Sequence, residues 1–183
     1  AAADYKAIVC LFLFGGNDSI NMVLPTDAAS FANYTTLRNQ APDPIALLAA
    51  GTAANAGAAN GSPARLGGVL PIAPANAQGR SFALHPAMGA LQAMFDTDKR
   101  LAILPNVGTL ILPTNKTQYA SASHPKPVNL FSHNDQQNTW QSFHPEGATV
   151  GWGGRMGDLL ASMNQRSVFT SITAGGNAVW LSR

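Results

Sequence analysis

Hydrophobic positions along the chain follow two patterns. The first is the continuous apolar run. Ala7-Ile8-Val9-Cys10-Leu11-Phe12-Leu13-Phe14 has no polar alternation, and Leu101-Ala102-Ile103-Leu104, Ser167–Thr173 and Ala178-Val179-Trp180-Leu181 read similarly. Strands covered on both faces read like this, so these runs predict the buried strands of a mostly parallel sheet. The second pattern is helical. Asp27 is placed to cap a helix reaching about Arg38, with Phe31, Tyr34 and Leu37 three apart. Pro86 opens a helix whose Met88, Leu91 and Phe95 form a stripe widened by Ala87 and Met94, and Asp96-Thr97-Asp98-Lys99 closes it. A third helix is predicted from Ser132 through Trp140. A fourth follows Gly154, with Met156, Leu159, Leu160 and Met163.

Between these elements the residues are small and turn-forming. Residues 39 to about 80 are rich in Ala, Gly, Asn and Pro and predict a loop-rich excursion. Within it, a short helix from Pro44 through Ala50 is predicted, with Asp43 as cap and Pro44 at its first position. Val69-Leu70-Pro71-Ile72 and Ser81-Phe82-Ala83-Leu84 predict a small hairpin. Strand, helix and strand with short links make a βαβ unit. The predicted fold class is therefore α/β: a mostly parallel sheet with helices on both faces.

The composition narrows the function classes. Lys plus Arg number 11 against 9 for Asp plus Glu, and no basic cluster exists, so no nucleic-acid partner is predicted. No stretch approaches the ~18 apolar residues of a membrane span. Glu146 is the only glutamate. A polar but weakly charged surface, with small residues Ala1-Ala2-Ala3 of the kind left by signal peptidase, predicts an exported protein of the periplasm or cell surface. Cys10 is the only cysteine and is predicted to be a small buried hydrophobe.

Three polar clusters could carry chemistry. Gly16-Asn17-Asp18-Ser19 ends the first apolar run, where open α/β sheets place ligands. Asp18 there is either a ligand for a hard divalent cation or a turn residue. Phe131-Ser132-His133-Asn134-Asp135-Gln136-Gln137 puts a hydroxyl, an imidazole and a carboxylate at a helix start. Nucleophile and oxyanion donors fit there, and so does a plain capping serine. Gly151-Trp152-Gly153-Gly154-Arg155 offers close backbone approach and a guanidinium fork. His85 is predicted to be a helix-entry residue, whereas His124 and His144 lie in Pro-containing loops without a specific signal. Gly-x-Gly-x-x-Gly after a strand, Gly-x-Ser-x-Gly, P-loop and His-Glu-x-x-His signatures are all missing from the sequence, which disfavours nucleotide enzymes, serine hydrolases of the elbow type and zincins.

Taken in order, these blocks resemble the domain-of-unknown-function 1501 family. The resemblance rests on Tyr5-Lys6-Ala7, Phe12-Leu13-Phe14-Gly15-Gly16-Asn17-Asp18 with Asn21 and Pro25, and Leu84-His85-Pro86. It continues through Ala102–Gly108, Phe131-Ser132-His133 with Gln136, Gln137 and Trp140, and Gly151–Arg155. It implies export, usually by a twin-arginine signal, and an alkaline-phosphatase-like (sulfatase-like) core, with residues 1–183 as the N-terminal part of that single domain. It also implies a metal-dependent hydrolase of anionic phosphoric or sulfuric esters. Asp18 and Asn17 would then face the metal (Zn, Ca, Mg or Mn). Ser132 would be the nucleophile, with His133 and Arg155 beside it. The family's later acidic-Phe-Gly-Arg-Thr and Asp-His-Gly blocks are not found in this sequence. The remaining ligands would therefore come from the protein's own C-terminal half or a second chain. The alternative is a non-catalytic periplasmic or cell-surface protein that binds or assembles with a partner.

Overall fold

The hairpin expected between residues 69 and 84 forms, and a third strand joins it. The computed structural model describes residues 7–13, 15, 17–144, 147–175 and 179–182. Three short strands, β1 (Val23–Pro25), β2 (Leu70–Ile72) and β3 (Phe82–Leu84), pair antiparallel in the order β1-β3-β2. Leu24 and Pro71 both stand opposite Ala83. Proline cannot donate to a ladder, so Pro25 and Pro71 belong on edge strands, and the proline-free β3 takes the centre.

The chain divides into two compact units, Ala1–Ile103 and Leu104–Arg183. In the first, a four-residue helix α1 (Ser19–Met22) leads into β1, and α2 (Ala28–Arg38) follows. Asp27 caps α2 as expected, its side chain accepting from the Ser30 N–H. A core of Leu24, Tyr34, Ala46, Leu47, Val69 and Ala83 gathers between α2 and the sheet, with Phe31 and Leu66 against it. Fully burying an aliphatic side chain such as Leu24 contributes about 1.5–3 kcal/mol. Leu37 does not join this core and is exposed. A spacing of three advances 300° around a helix, so the predicted stripe drifts by about 60° per step and only Tyr34 faces squarely inward.

The predicted Pro44–Ala50 helix is absent. Ala46 and Leu47 are instead buried in extended chain, and Leu48 forms an isolated parallel bridge with Gly68. A short helix α3 (Pro63–Leu66) precedes β2. The helix predicted from Pro86 begins later, as α4 (Gly89–Asp96), after a turn in which His85 Nδ1 accepts from the Ala87 N–H at 3.1 Å. Gln92 on α4 donates to the Pro71 carbonyl at 2.6 Å, and Asp96 accepts from the Ala73 N–H at 3.0 Å, which fastens α4 to β2.

The mostly parallel, alkaline-phosphatase-like sheet with helices on both faces is overturned: the sheet of the described residues is the small antiparallel one. Residues 7–13 form no strand, and Val9 and Leu11 are 87% and 85% exposed. Phe14 lies outside the described residues. Cys10, expected to be buried, is exposed. Residues 101–104 are irregular, with Leu104 81% exposed. Ser167–Phe169 and Val179–Leu181 are single 3-10 turns, and Ala178 lies outside the described residues. An extended apolar segment becomes a buried strand only with hydrogen-bonding neighbours on both edges and helices over both faces. The described residues give these segments neither.

The second unit is helical: α5 (Lys116–Ala120), α6 (His133–Ser142) and α7 (Trp152–Leu160), followed by 3-10 turns. Asn115 and Gln118 cap α5 reciprocally. Helix α7 starts two residues before Gly154, with Gly151 as its cap residue.

Candidate functional site

The predicted site residues divide between the two units, Asn17 and Asp18 in the first and Ser132, His133 and Arg155 in the second. Asp18 precedes α1, and its carboxylate does not cap that helix. Both of its oxygens accept from Arg38, each at 2.7 Å, in a bidentate pair. This engages the charge that would hold a cation. Asn17 is exposed and makes no side-chain hydrogen bond among the described residues. Next to this pair, the Tyr34 hydroxyl donates to Asn21 Oδ1 at 2.6 Å and accepts from the Leu47 N–H at 2.7 Å. Asn21 Nδ2 in turn donates to the Ile45 carbonyl at 3.1 Å. Burial pushes the Tyr34 phenol above its ordinary value. Asp18, Asn21, Tyr34 and Arg38 thus clamp the chain before β1 to α2 and to the extended segment at Ile45–Leu47. No group of three or more His, Cys, Asp or Glu that could hold a metal occurs among the described residues.

Ser132 is the cap of α6, with its Oγ accepting from the Asp135 N–H at 3.3 Å. Asp135 lies in the helix's first turn, is 5% exposed, and accepts from Asn129 Nδ2 at 3.0 Å. The positive end of α6 therefore already carries its own carboxylate, and an anionic ester brought to Ser132 would meet that charge. His133 is exposed. Residues adjacent on a helix project about 100° apart, so His133 is poorly directed to act as base for Ser132.

What the second unit does bring together is the set of motif blocks around α6. Thr109, which directly follows the Ala102–Gly108 block, donates from Oγ1 to Gln136 Oε1 at 2.5 Å. Trp152 Nε1 donates to the Trp140 carbonyl at 3.0 Å, joining the Gly151–Arg155 block to the C-terminal turn of the same helix. The Trp180 N–H reaches Gln141 Oε1 at 3.2 Å. Ser132 and Trp152 consequently engage opposite ends of α6, which spans about 15 Å for its ten residues.

The glycines of the third cluster seat a segment of chain. The Gly151 N–H donates to the Ser182 carbonyl at 2.9 Å. A Cβ on Gly153 would stand 2.3 Å from the Trp180 ring, and one on Gly154 would stand 2.2 Å from the Ser182 carbonyl oxygen. Trp152 and Trp180 meet edge to face with centroids 5.1 Å apart. Arg155 points elsewhere. With His144, Gly147, Ala148, Thr149 and Val150 it lines a recess of about 270 Å³. Sequence reasoning passed over His144 because nothing near it in the chain pairs with it. It also passed over Trp180, whose partners Gln141 and Gly153 lie 39 and 27 residues earlier. The spacing Gly151, Gly154, Gly157, three apart on one helix, was the available signal for close packing there.

No protein-family model, no curated protein and no solved structure matches this chain. Among the described residues no helix is long and apolar enough to cross a membrane.

Proposed function

We propose that this chain is an exported binding or assembly protein that acts by joining further polypeptide, either its own C-terminal half or a second chain, and that it has no ester-hydrolase activity of its own. The observation that carries this reading is the set of open apolar segments: Ile8, Val9, Leu11 and Leu13, then Leu104 and Val107, then Val168, Phe169 and Ile172. Exposed apolar stretches of this kind mark an interaction site. The candidate chemistry points the same way. Asp18 is engaged by Arg38, and Ser132 is engaged in capping. Export rests on the weakly charged composition and the motif resemblance.

The test is made on natively purified full-length protein. Its mass in solution, its metal content by elemental mass spectrometry and its turnover of p-nitrophenyl phosphate and sulfate are measured together. The reading expects no stoichiometric metal, no turnover, and slow hydrogen exchange at residues 7–13 and 167–173. Rapid exchange there, or stoichiometric metal with turnover, would sink it.

A second reading, metal-dependent hydrolysis of phosphoric or sulfuric esters, is favoured by the placement of the Ser132 hydroxyl and the exposed His133 imidazole at the start of α6. Under it, S132A abolishes turnover in a folded protein. Retained turnover in that variant removes Ser132 as the nucleophile.

A further inference from the structure

We infer that the recess lined by Arg155 and His144 binds a phosphate or sulfate group, separately from Ser132. The argument begins with charge. The Arg155 side chain has no hydrogen-bonding or ion-pair partner among the described residues, and the first turn of α7 holds no acidic residue. A guanidinium presents a planar fork of donors that matches two oxygens of a tetrahedral anion. His144 supplies an imidazole at the same wall, and Thr149 a hydroxyl. Gly147 has φ +93, a conformation that favours glycine, so the loop turns there without a side chain filling the space. The remaining walls, Ala148 and Val150, are small and apolar. A volume of about 270 Å³ accommodates the anion with a modest organic substituent.

The recess also differs in electrostatics from the start of α6. There, the Asp135 carboxylate occupies the helix end; here, two nitrogen-bearing side chains face the space. Glu146, between His144 and Gly147 in the sequence, is outside the described residues, so its carboxylate is tested directly.

The experiment is isothermal titration of the full-length protein with inorganic phosphate, sulfate and methyl phosphate at fixed ionic strength, with chloride and acetate as controls. Saturable binding of the tetrahedral anions is expected, weakened about tenfold or more in R155Q and less in R155K, which keeps the charge but loses the fork. T149V, which leaves the cation in place, is expected to weaken binding severalfold. E146Q is expected to bind as tightly as wild type or tighter. Methyl phosphate binding as tightly as phosphate assigns the site to esters, and preference for the inorganic ion assigns it to free anions. Absence of saturable binding, equal affinity in R155Q, or binding that appears only in E146Q would each overturn the inference.

Discussion

Replacing Gly154 by alanine separates two opposed physical effects on one helix. Gly154 lies inside α7, where alanine is favoured over glycine by about 1 kcal/mol if nothing else changes. Its ideal Cβ, however, would stand 2.2 Å from the Ser182 carbonyl oxygen and 2.8 Å from that of Leu181. Both obstacles are backbone, so the segment 179–182 must lift from the helix. Lifting it breaks the Gly151–Ser182 and Trp180–Gln141 hydrogen bonds, each contributing about 1 kcal/mol. It also parts the Trp152–Trp180 pair, contributing about another 1 kcal/mol. Set against the propensity gain, the net loss is about 2 kcal/mol. Urea denaturation followed by tryptophan fluorescence reads it, with near-UV circular dichroism reporting the tryptophan pair. G89A in α4, where a Cβ meets nothing within 4 Å, is the control and should not destabilise. Should G154A prove as stable as wild type with an unchanged near-UV spectrum, the account of α7 as a glycine seat is wrong.

Other expectations follow from the first unit. Y34F removes the hydroxyl that serves both Asn21 and the Leu47 N–H, and should cost about 1–3 kcal/mol in urea denaturation. L24A in the core should cost about 2–5 kcal/mol by the same measurement. D18N breaks a pair whose carboxylate is 38% exposed, and should cost no more than about 1 kcal/mol while leaving the metal content unchanged. The hydrogen bonds from Ser30, and then Arg80, hold the Asp27 carboxyl below its ordinary value. Its contribution is therefore present above the unfolded value of 3.8 and lost as pH falls through the lower folded value. Acid unfolding monitored by circular dichroism should show that D27N loses this pH dependence.

Local signals in the sequence determined the short-range structure. Asp27 capping α2, Ser132 capping α6, the 69–84 hairpin and the α4 stripe were legible because each depends on contacts only a few residues apart. The continuous apolar runs were legible only as apolar. Whether Ile8–Leu13 or Val168–Ile172 becomes a buried strand depends on partners that composition does not name, and tertiary structure left them open. The candidate site shows the same division. Serine at a helix start is visible in sequence, but Arg38 reaching Asp18 across 20 residues is not, nor is Trp180 settling on Gly153. Sequence patterns report what a segment can do with its near neighbours. Which distant side chain takes up its charge or covers its surface is set by chain closure, and only the folded protein decides it.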